Sequence, residues 1–144
     1  MTDVKRVSPQ DAKALLDEGH VYVDVRTPEE WAAGHPTGAT NVPWAFAGAA
    51  GMSPNPEFIP AMSALHTKEA KLIVGCKTGG RSLKAATALL AAGFTNVIDQ
   101  RAGYEGPRDA FGQVSEKGWS PAGLPTETAT AGGSWQEQKT KAGI

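Results

Sequence analysis

The chain has 144 residues, of which 40% are hydrophobic and 20% are charged, and its formal net charge is −1. This length is typical of one domain and is sufficient to bury a core without disulfides or metal ions. The near-zero net charge excludes a global basic field, so we expect neither nucleic acid nor a membrane surface as a partner.

The cysteine and histidine content limits the chemistry further. Cys76 is the only cysteine and three histidines are scattered along the chain, so no zinc-binding spacing exists, and we predict no metal and no other cofactor. A lone cysteine forms no intramolecular disulfide, which fits a reducing compartment. The N-terminal residues lack the apolar core of a secretory signal, and no apolar run reaches the ~18 residues of a membrane span. We therefore expect a cytoplasmic protein.

Helix and strand patterns alternate from the start of the chain. A first helix is predicted after the N-cap residue Ser8, and Gly19 ends it. The β-branched run at residues 21–25 predicts a buried strand. A second helix is predicted after Thr27, which can form a capping box with Glu30.

The middle of the chain is less regular. A short strand is predicted within residues 39–42, and the Gly-, Ala- and Pro-rich residues 45–56 predict a long loop. A helix is predicted within residues 57–65, although Pro60 indicates that this helix begins late or is kinked.

The strongest strand and helix patterns flank Cys76. Residues 72–75 predict a buried strand that ends at this cysteine, residues 82–92 predict a helix, and residues 97–98 predict a last short strand. The alternation of strands and helices predicts an α/β domain with a mainly parallel sheet flanked by helices.

The C-terminal part carries little regular pattern. Past Gly103, many Gly, Pro, Ser and Thr residues replace the periodic apolar ones. We predict that residues 1–106 form the domain core and that residues 107–144 form an irregular extension packed on the same domain. Trp119 and Trp135 are the side chains expected to fold parts of this extension back.

The segment around Cys76 carries the chemistry. A buried strand delivers the thiol to the carboxyl edge of the sheet, where open α/β sheets bind ligands. Gly79 and Gly80 permit a loop whose N–H groups turn inward and form an anion-binding nest. The helix that follows adds the partial positive charge of its N-terminus, and Lys77 and Arg81 add full charges. Each effect favours a thiolate, so an exposed and nucleophilic sulfur is predicted.

Other roles for these residues stay open at this level. Cys76 can instead be a buried core thiol, in which case the glycines only make a turn. Lys77 can be a solvated surface lysine. Arg81 can hold a carboxylate such as Asp24 or Glu30, or combine that role with substrate binding.

Four parts of the chain resemble the rhodanese family. The active-site loop of that family, with its six-residue span from cysteine to arginine, is similar to Cys76-Lys77-Thr78-Gly79-Gly80-Arg81-Ser82. Residues 24–31 and 34–43 resemble the two signatures that precede this loop. Segments past residue 102 are similar to the single-domain, thiosulfate-type enzymes: residues 103–106, 118–119 and 123–125. The chain departs from the family pattern at residues 36–37 and 100–103.

The resemblance implies a three-layer fold with about five sheet strands and a sulfur transfer in two steps. The thiolate of Cys76 would take the outer sulfur of a small donor such as thiosulfate and become a persulfide. Cyanide, a thiol or an acceptor protein would then remove that sulfur. Cys76 and Arg81 would be catalytic, Asp24 and Arg26 would brace the loop, and substrate would be held by Lys77, Thr78, Gly79, Gly80 and Ser82. A monomer or a weak homodimer is expected.

Two other functions remain open from the sequence. Cysteine phosphatases and arsenate reductases use a similar strand–loop–helix cradle, but with one more residue between cysteine and arginine than the four found here. The shorter loop favours a single sulfur atom over a phosphate group. Non-catalytic rhodanese-like modules often lose the cysteine or the loop glycines, and this chain retains both.

Overall fold

The computed structural model describes residues 4–144, so the first three residues of the predicted domain core lie outside the described part. The strands are β1 (Lys5–Val7), β2 (Val21–Asp24), β3 (His35–Pro36), β4 (Thr40–Asn41), β5 (Ala45–Gly48), β6 (Gly51–Pro54), β7 (Leu72–Gly75), β8 (Val97–Gln100) and β9 (Thr126–Glu127). The helices are α1 (Pro9–Asp17), α2 (Pro28–Ala33), α3 (Phe58–Leu65), α4 (Gly80–Ala91) and α5 (Trp135–Ala142).

Five parallel strands form the central sheet in the order β1-β8-β7-β2-β4. Alternate residues of β2 and β7 point to opposite faces, as the pleat of a strand requires. Val23, Leu72 and Val74 enter an apolar cluster with residues of α3, α4 and α5. Tyr22 and Ile73 enter a second cluster with residues of α1. The predicted α/β fold, with helices on both faces of a parallel sheet, is confirmed.

Local capping explains where the helices begin. The Ser8 side chain accepts from the N–H of Asp11, and Thr27 and Glu30 form the predicted capping box of α2. The expected late or kinked start of α3 is wrong, because this helix begins at Phe58 and places Pro60 in its first turn. The missing N–H of a proline costs nothing there, since N–H groups of the first turn have no intrahelical partner.

Two β elements contradict the sequence-based expectations. No strand was predicted before the first helix, but residues 5–7 form β1 at the edge of the sheet beside β8. Residues 45–56 were expected to form a loop, but β5 and β6 pair there as an antiparallel hairpin. The base of this hairpin is held by a hydrogen bond from the Asn55 side chain to the carbonyl of Pro43.

The C-terminal extension is more regular than predicted. An irregular structure is wrong for its last part, where α5 has a capping box formed by Ser134 and Glu137. Trp135 of this helix is 8% exposed and belongs to the apolar cluster that contains α3. Trp119 packs edge-on against Tyr22 at 5.6 Å between ring centroids. None of the helices within residues 4–144 is long and apolar enough to cross a bilayer.

Candidate active site

Cys76 lies where β7 ends and the loop to α4 begins. Its side chain belongs to a buried apolar cluster, and the residue is only 2% exposed. The next two residues of the loop, Lys77 and Thr78, are exposed. The expectation of an exposed sulfur is therefore wrong, because the short loop folds over the thiol. Within the described structure, the N–H of Gly79 donates to Sγ at 3.1 Å.

Gly79 and Gly103 allow two backbone segments to lie in direct contact at this loop. Gly79 has φ +103°, and a Cβ there would collide with the carbonyl oxygen of Arg101. Gly103 has φ +72°, and a Cβ there would lie 2.5 Å from the carbonyl oxygen of Lys77. A side chain at either position is excluded both by the left-handed backbone and by the neighbouring carbonyl. The segment that starts at Arg101 therefore forms the back wall of the loop.

Backbone hydrogen bonds join that wall to the loop. The N–H of Tyr104 donates to the carbonyl of Cys76 at 2.7 Å, and the N–H of Glu105 donates to the carbonyl of Lys77 at 3.0 Å. The backbone carbonyls of Cys76 and Lys77 are therefore hydrogen-bonded to the wall segment, whereas the N–H of Gly79 donates to the sulfur of Cys76.

The buried side chain of Gln100 holds the wall segment in its conformation. This residue was not identified from the sequence as part of the site. Its side-chain oxygen accepts from the N–H groups of Ala102 at 2.8 Å and Gly103 at 2.9 Å, and its amide nitrogen donates to the carbonyl of Gly103 at 2.8 Å. The residue is fully buried. The departure from the family pattern at residues 100–103 is thus a tight turn held by one buried amide.

Arg6 is a second residue that sequence reasoning missed. From β1, its Nε donates to the fully buried carboxylate of Asp99 at 2.7 Å, and its Nη2 donates to the carbonyl of Gly79 at 3.3 Å. Burial raises the pKa of Asp99, and the pairing with Arg6 acts in the opposite direction. Arg6 therefore ties the glycine beside the sulfur to a buried charge on β8.

The guanidinium of Arg81 is paired with a carboxylate and does not lie unpaired at the entrance to the Cys76 loop. Its guanidinium forms a two-pronged ion pair with Glu30, with N–O distances of 2.6 and 3.0 Å. Of the two carboxylates considered for Arg81, Glu30 is the partner. Burial acts to raise the pKa of Glu30, but hydrogen bonds from Arg81 and from the N–H of Thr27 outweigh it and hold that pKa at about 2.

Asp24 and Arg26 form a buried ion pair at the end of β2, 2.7 Å between Nη2 and Oδ2. The Arg26 guanidinium also lies 4.3 Å from the ring centroid of Tyr104, the residue whose N–H binds the carbonyl of Cys76. The Asn41 amide donates to the carbonyls of both Asp24 and Arg26. Tyr104 therefore connects the Asp24–Arg26 pair to the Cys76 loop.

Residues 8–109 match the model of a family described as Rhodanese-like domain. The chain belongs to the rhodanese family. It is 47% identical over 121 residues to thiosulfate sulfurtransferase 16, chloroplastic, of Arabidopsis thaliana, covering 84% of this chain and 91% of that protein. It is 45% identical over 93 residues to senescence-associated protein DIN1 of Raphanus sativus, covering 65% of this chain but only 51% of that relative.

One solved structure has a similar fold over most of this chain. The crystal structure of Rv0390 from M. tuberculosis superposes with a TM-score of 0.73 at 28% identity, covering 89% of this chain and all of that one (100%).

The remaining predicted site residues of this rhodanese lie in three environments. Lys77 pairs with Glu105 at 3.5 Å, and both side chains are about half exposed. Thr78 and Gly80 are exposed at the loop surface. Ser82 is fully buried, and its hydroxyl donates to the carbonyl of Gly79 at 3.3 Å. The substrate-binding roles of the loop residues stay predictions. Within residues 4–144, no three His, Cys, Asp or Glu side chains cluster closely enough to hold a metal ion.

Proposed function

We propose that this rhodanese is a sulfurtransferase that moves a sulfane sulfur from a donor such as thiosulfate to a nucleophilic acceptor through a persulfide on Cys76. The observation that carries the proposal is the placement of the lone thiol. It lies at the carboxyl end of the central strand β7, against the N–H of Gly79 at the head of α4. The N-termini of helices and inward-facing N–H groups stabilise anions. The thiolate and the persulfide of Cys76 are both anions.

The proposed first step moves one sulfur atom. The Cys76 thiolate attacks the outer sulfur of thiosulfate, a new S–S bond forms, and the S–S bond of thiosulfate breaks with its electron pair leaving on sulfite. The resulting persulfide is stabilised by the N–H of Gly79, in the manner of an oxyanion hole.

The proposed second step restores the thiolate. Cyanide attacks the outer sulfur of the persulfide and leaves as thiocyanate, while the electron pair of the broken bond returns to Sγ of Cys76. Because the chain has no second cysteine, no internal disulfide can resolve the persulfide. Donor and acceptor must therefore react in turn at one sulfur, so we expect ping-pong kinetics.

A non-catalytic docking module is the second candidate, and the burial of Cys76 is the observation that favours it, since this residue is only 2% exposed. Sulfur transfer requires the exposed loop over the thiol to admit the donor. A module that only binds a partner requires no such access.

Thiocyanate production from thiosulfate and cyanide tests the proposal, with release of phosphate from an aryl phosphate measured beside it. The proposal expects thiocyanate from the wild type, none from Cys76→Ser, and no phosphate release from either. Circular dichroism of the serine variant should be unchanged, since the substitution is small. Phosphate release without thiocyanate, or no turnover of either substrate by a folded wild type, would overturn the proposal.

A further inference from the structure

A cleft of about 620 Å³ opens beside the loop that covers Cys76. Lys77 and Arg81 of the loop region form one side, Glu29 of α2 forms another, and Ala47 and Met52 of the β5–β6 hairpin form the third. Sites for small organic ligands in proteins have volumes of roughly 300–1,000 Å³. Thiosulfate and cyanide contain only a few non-hydrogen atoms, so this open cleft has room for a larger molecule.

The charges around the cleft do not fit a dianion. Both cations that face it already have a carboxylate partner, because Arg81 binds Glu30 and Lys77 pairs with Glu105. Glu29 is exposed and forms no ion pair with any residue in the described part of the chain. The charge left uncompensated in this cleft is therefore negative, which favours a cationic group on the ligand.

The hairpin gives the cleft an apolar wall at a defined position. Ala47 and Met52 are direct cross-strand partners, and Met52 is 51% exposed although it is a large apolar side chain. The N–H of Trp44 bonds to the carbonyl of Val25, and the Asn55 side chain bonds to the carbonyl of Pro43, so the base of the hairpin is anchored. A methionine on this wall is suited to contact with the apolar part of a ligand, aromatic rings included.

We propose that this cleft binds the organic part of the sulfur acceptor, and that this acceptor is an amine-bearing thiol with an apolar body. Met52 contacts the apolar body and Glu29 pairs with the ammonium group. The inference rests on the proposed function and names its acceptor class. The sulfur of the bound thiol attacks the outer sulfur of the Cys76 persulfide. Its proton passes to the transferred sulfur, the Sγ–S bond breaks, and the electron pair returns to Sγ, giving an organic persulfide and the free thiolate.

The role of Glu29 is tested by comparing a cationic thiol with an anionic one. Protein loaded with thiosulfate and freed of excess donor is discharged by cysteamine, a cationic thiol, or by 3-mercaptopropionate, an anionic one, and the loss of persulfide is followed by mass. Glu29→Gln should lower the cysteamine rate constant roughly two- to five-fold, the strength of an exposed ion pair, and should leave the 3-mercaptopropionate rate constant equal or higher. The control is Glu69→Gln, since Glu69 is exposed in the turn that precedes β7, at the opposite end of the sheet.

The role of Met52 is tested by comparing a thiol that carries an aromatic ring with cyanide, which has no organic body. Met52→Ala should lower the rate constant for phenylmethanethiol roughly three- to five-fold, because the ring loses its contact with the thioether. Discharge by cyanide should stay at the wild-type rate, because cyanide has no organic body to bind. The control is Phe111→Ala, since Phe111 is 89% exposed but does not line the cleft.

The two failures are distinguishable. If the protein does not load with sulfur at all, the proposed function itself fails. If it loads, if cyanide discharges it, and if Glu29→Gln and Met52→Ala leave the ratios among the thiols at wild-type values, the proposed function stands and the acceptor cleft is overturned.

Discussion

At the scale of single residues, Gly103 shows how closely the loop at Cys76 is packed. We predict that Gly103→Ala destabilises the protein by about 3–5 kcal/mol, because it combines the strain of a left-handed alanine with a steric collision. Its matched control is Gly112→Ala, since Gly112 has φ +78° but a Cβ there meets nothing within 4 Å. The control should cost only about 1–2 kcal/mol. Urea unfolding of both variants measures the difference, and equal losses would show that the contact with Lys77 is unimportant.

The lowered pKa of Glu30 predicts how the free energy of unfolding depends on pH. Its pKa of about 2 in the folded protein lies below the ordinary value of 4.5, so it contributes stability above pH 4.5 that is lost as the pH falls towards 2. Glu30→Gln should remove a pH-dependent part of roughly 2–3 kcal/mol, a figure reduced for the 27% exposure of the carboxylate.

Urea unfolding between pH 2 and pH 7 checks this prediction for Glu30. The stability gap between wild type and Glu30→Gln should narrow as the solution becomes more acidic. Glu29→Gln, at the neighbouring exposed position, should follow the wild-type profile. A gap for Glu30→Gln that stays constant across this range would contradict the ion pair with Arg81.

The residues of the site differ in how far the sequence predicted them. Cys76, Gly79 and Arg81 follow one another along the chain, so their spacing alone indicated the loop. Arg6 could not be found this way, because its contacts with Gly79 and Asp99 join residues 73 and 93 positions apart. Gln100 acts locally, but no rule of sequence singles out a glutamine for such a turn.

At the scale of elements, local capping made helices easier to predict than strands. The starts of α1 and α2 follow from Ser8 and Thr27, which bind N–H groups three residues further on. The edge strand β1 was missed because its pairing with β8 depends on a distant segment. The β5–β6 hairpin was missed because its strands are short and contain Gly, Ala and Pro, residues that are uncommon in strands.

The C-terminal helix α5 is predicted to be part of the cooperative fold. Trp135→Ala should cost about 3–5 kcal/mol, because it removes a large side chain from the cluster that contains Phe58 and Met62. The control is Gln136→Ala, which changes the exposed neighbouring position and should cost less than about 0.5 kcal/mol. Thermal unfolding distinguishes the two. A wild-type midpoint for Trp135→Ala would mean that α5 contributes nothing to the core.

At the scale of the whole molecule, the sheet order assembles the site. Because β8, β7 and β2 are adjacent and parallel, their carboxyl ends meet at one edge. That edge brings together the Gln100 turn, the Cys76 loop and the Asp24–Arg26 pair. The sequence predicted a parallel sheet and the presence of Cys76 at its carboxyl edge. It could not predict the burial of the thiol, which depends on how tightly residues 101–105 pack behind the loop.

The intact mass of the protein after treatment with thiosulfate is the most direct measurement of sulfur loading at Cys76. The wild type should become heavier by one sulfur atom, located on the peptide that contains Cys76, and cyanide should return it to its starting mass. Cys76→Ser should gain nothing. A folded wild-type protein whose mass stays unchanged in thiosulfate would contradict the persulfide at Cys76.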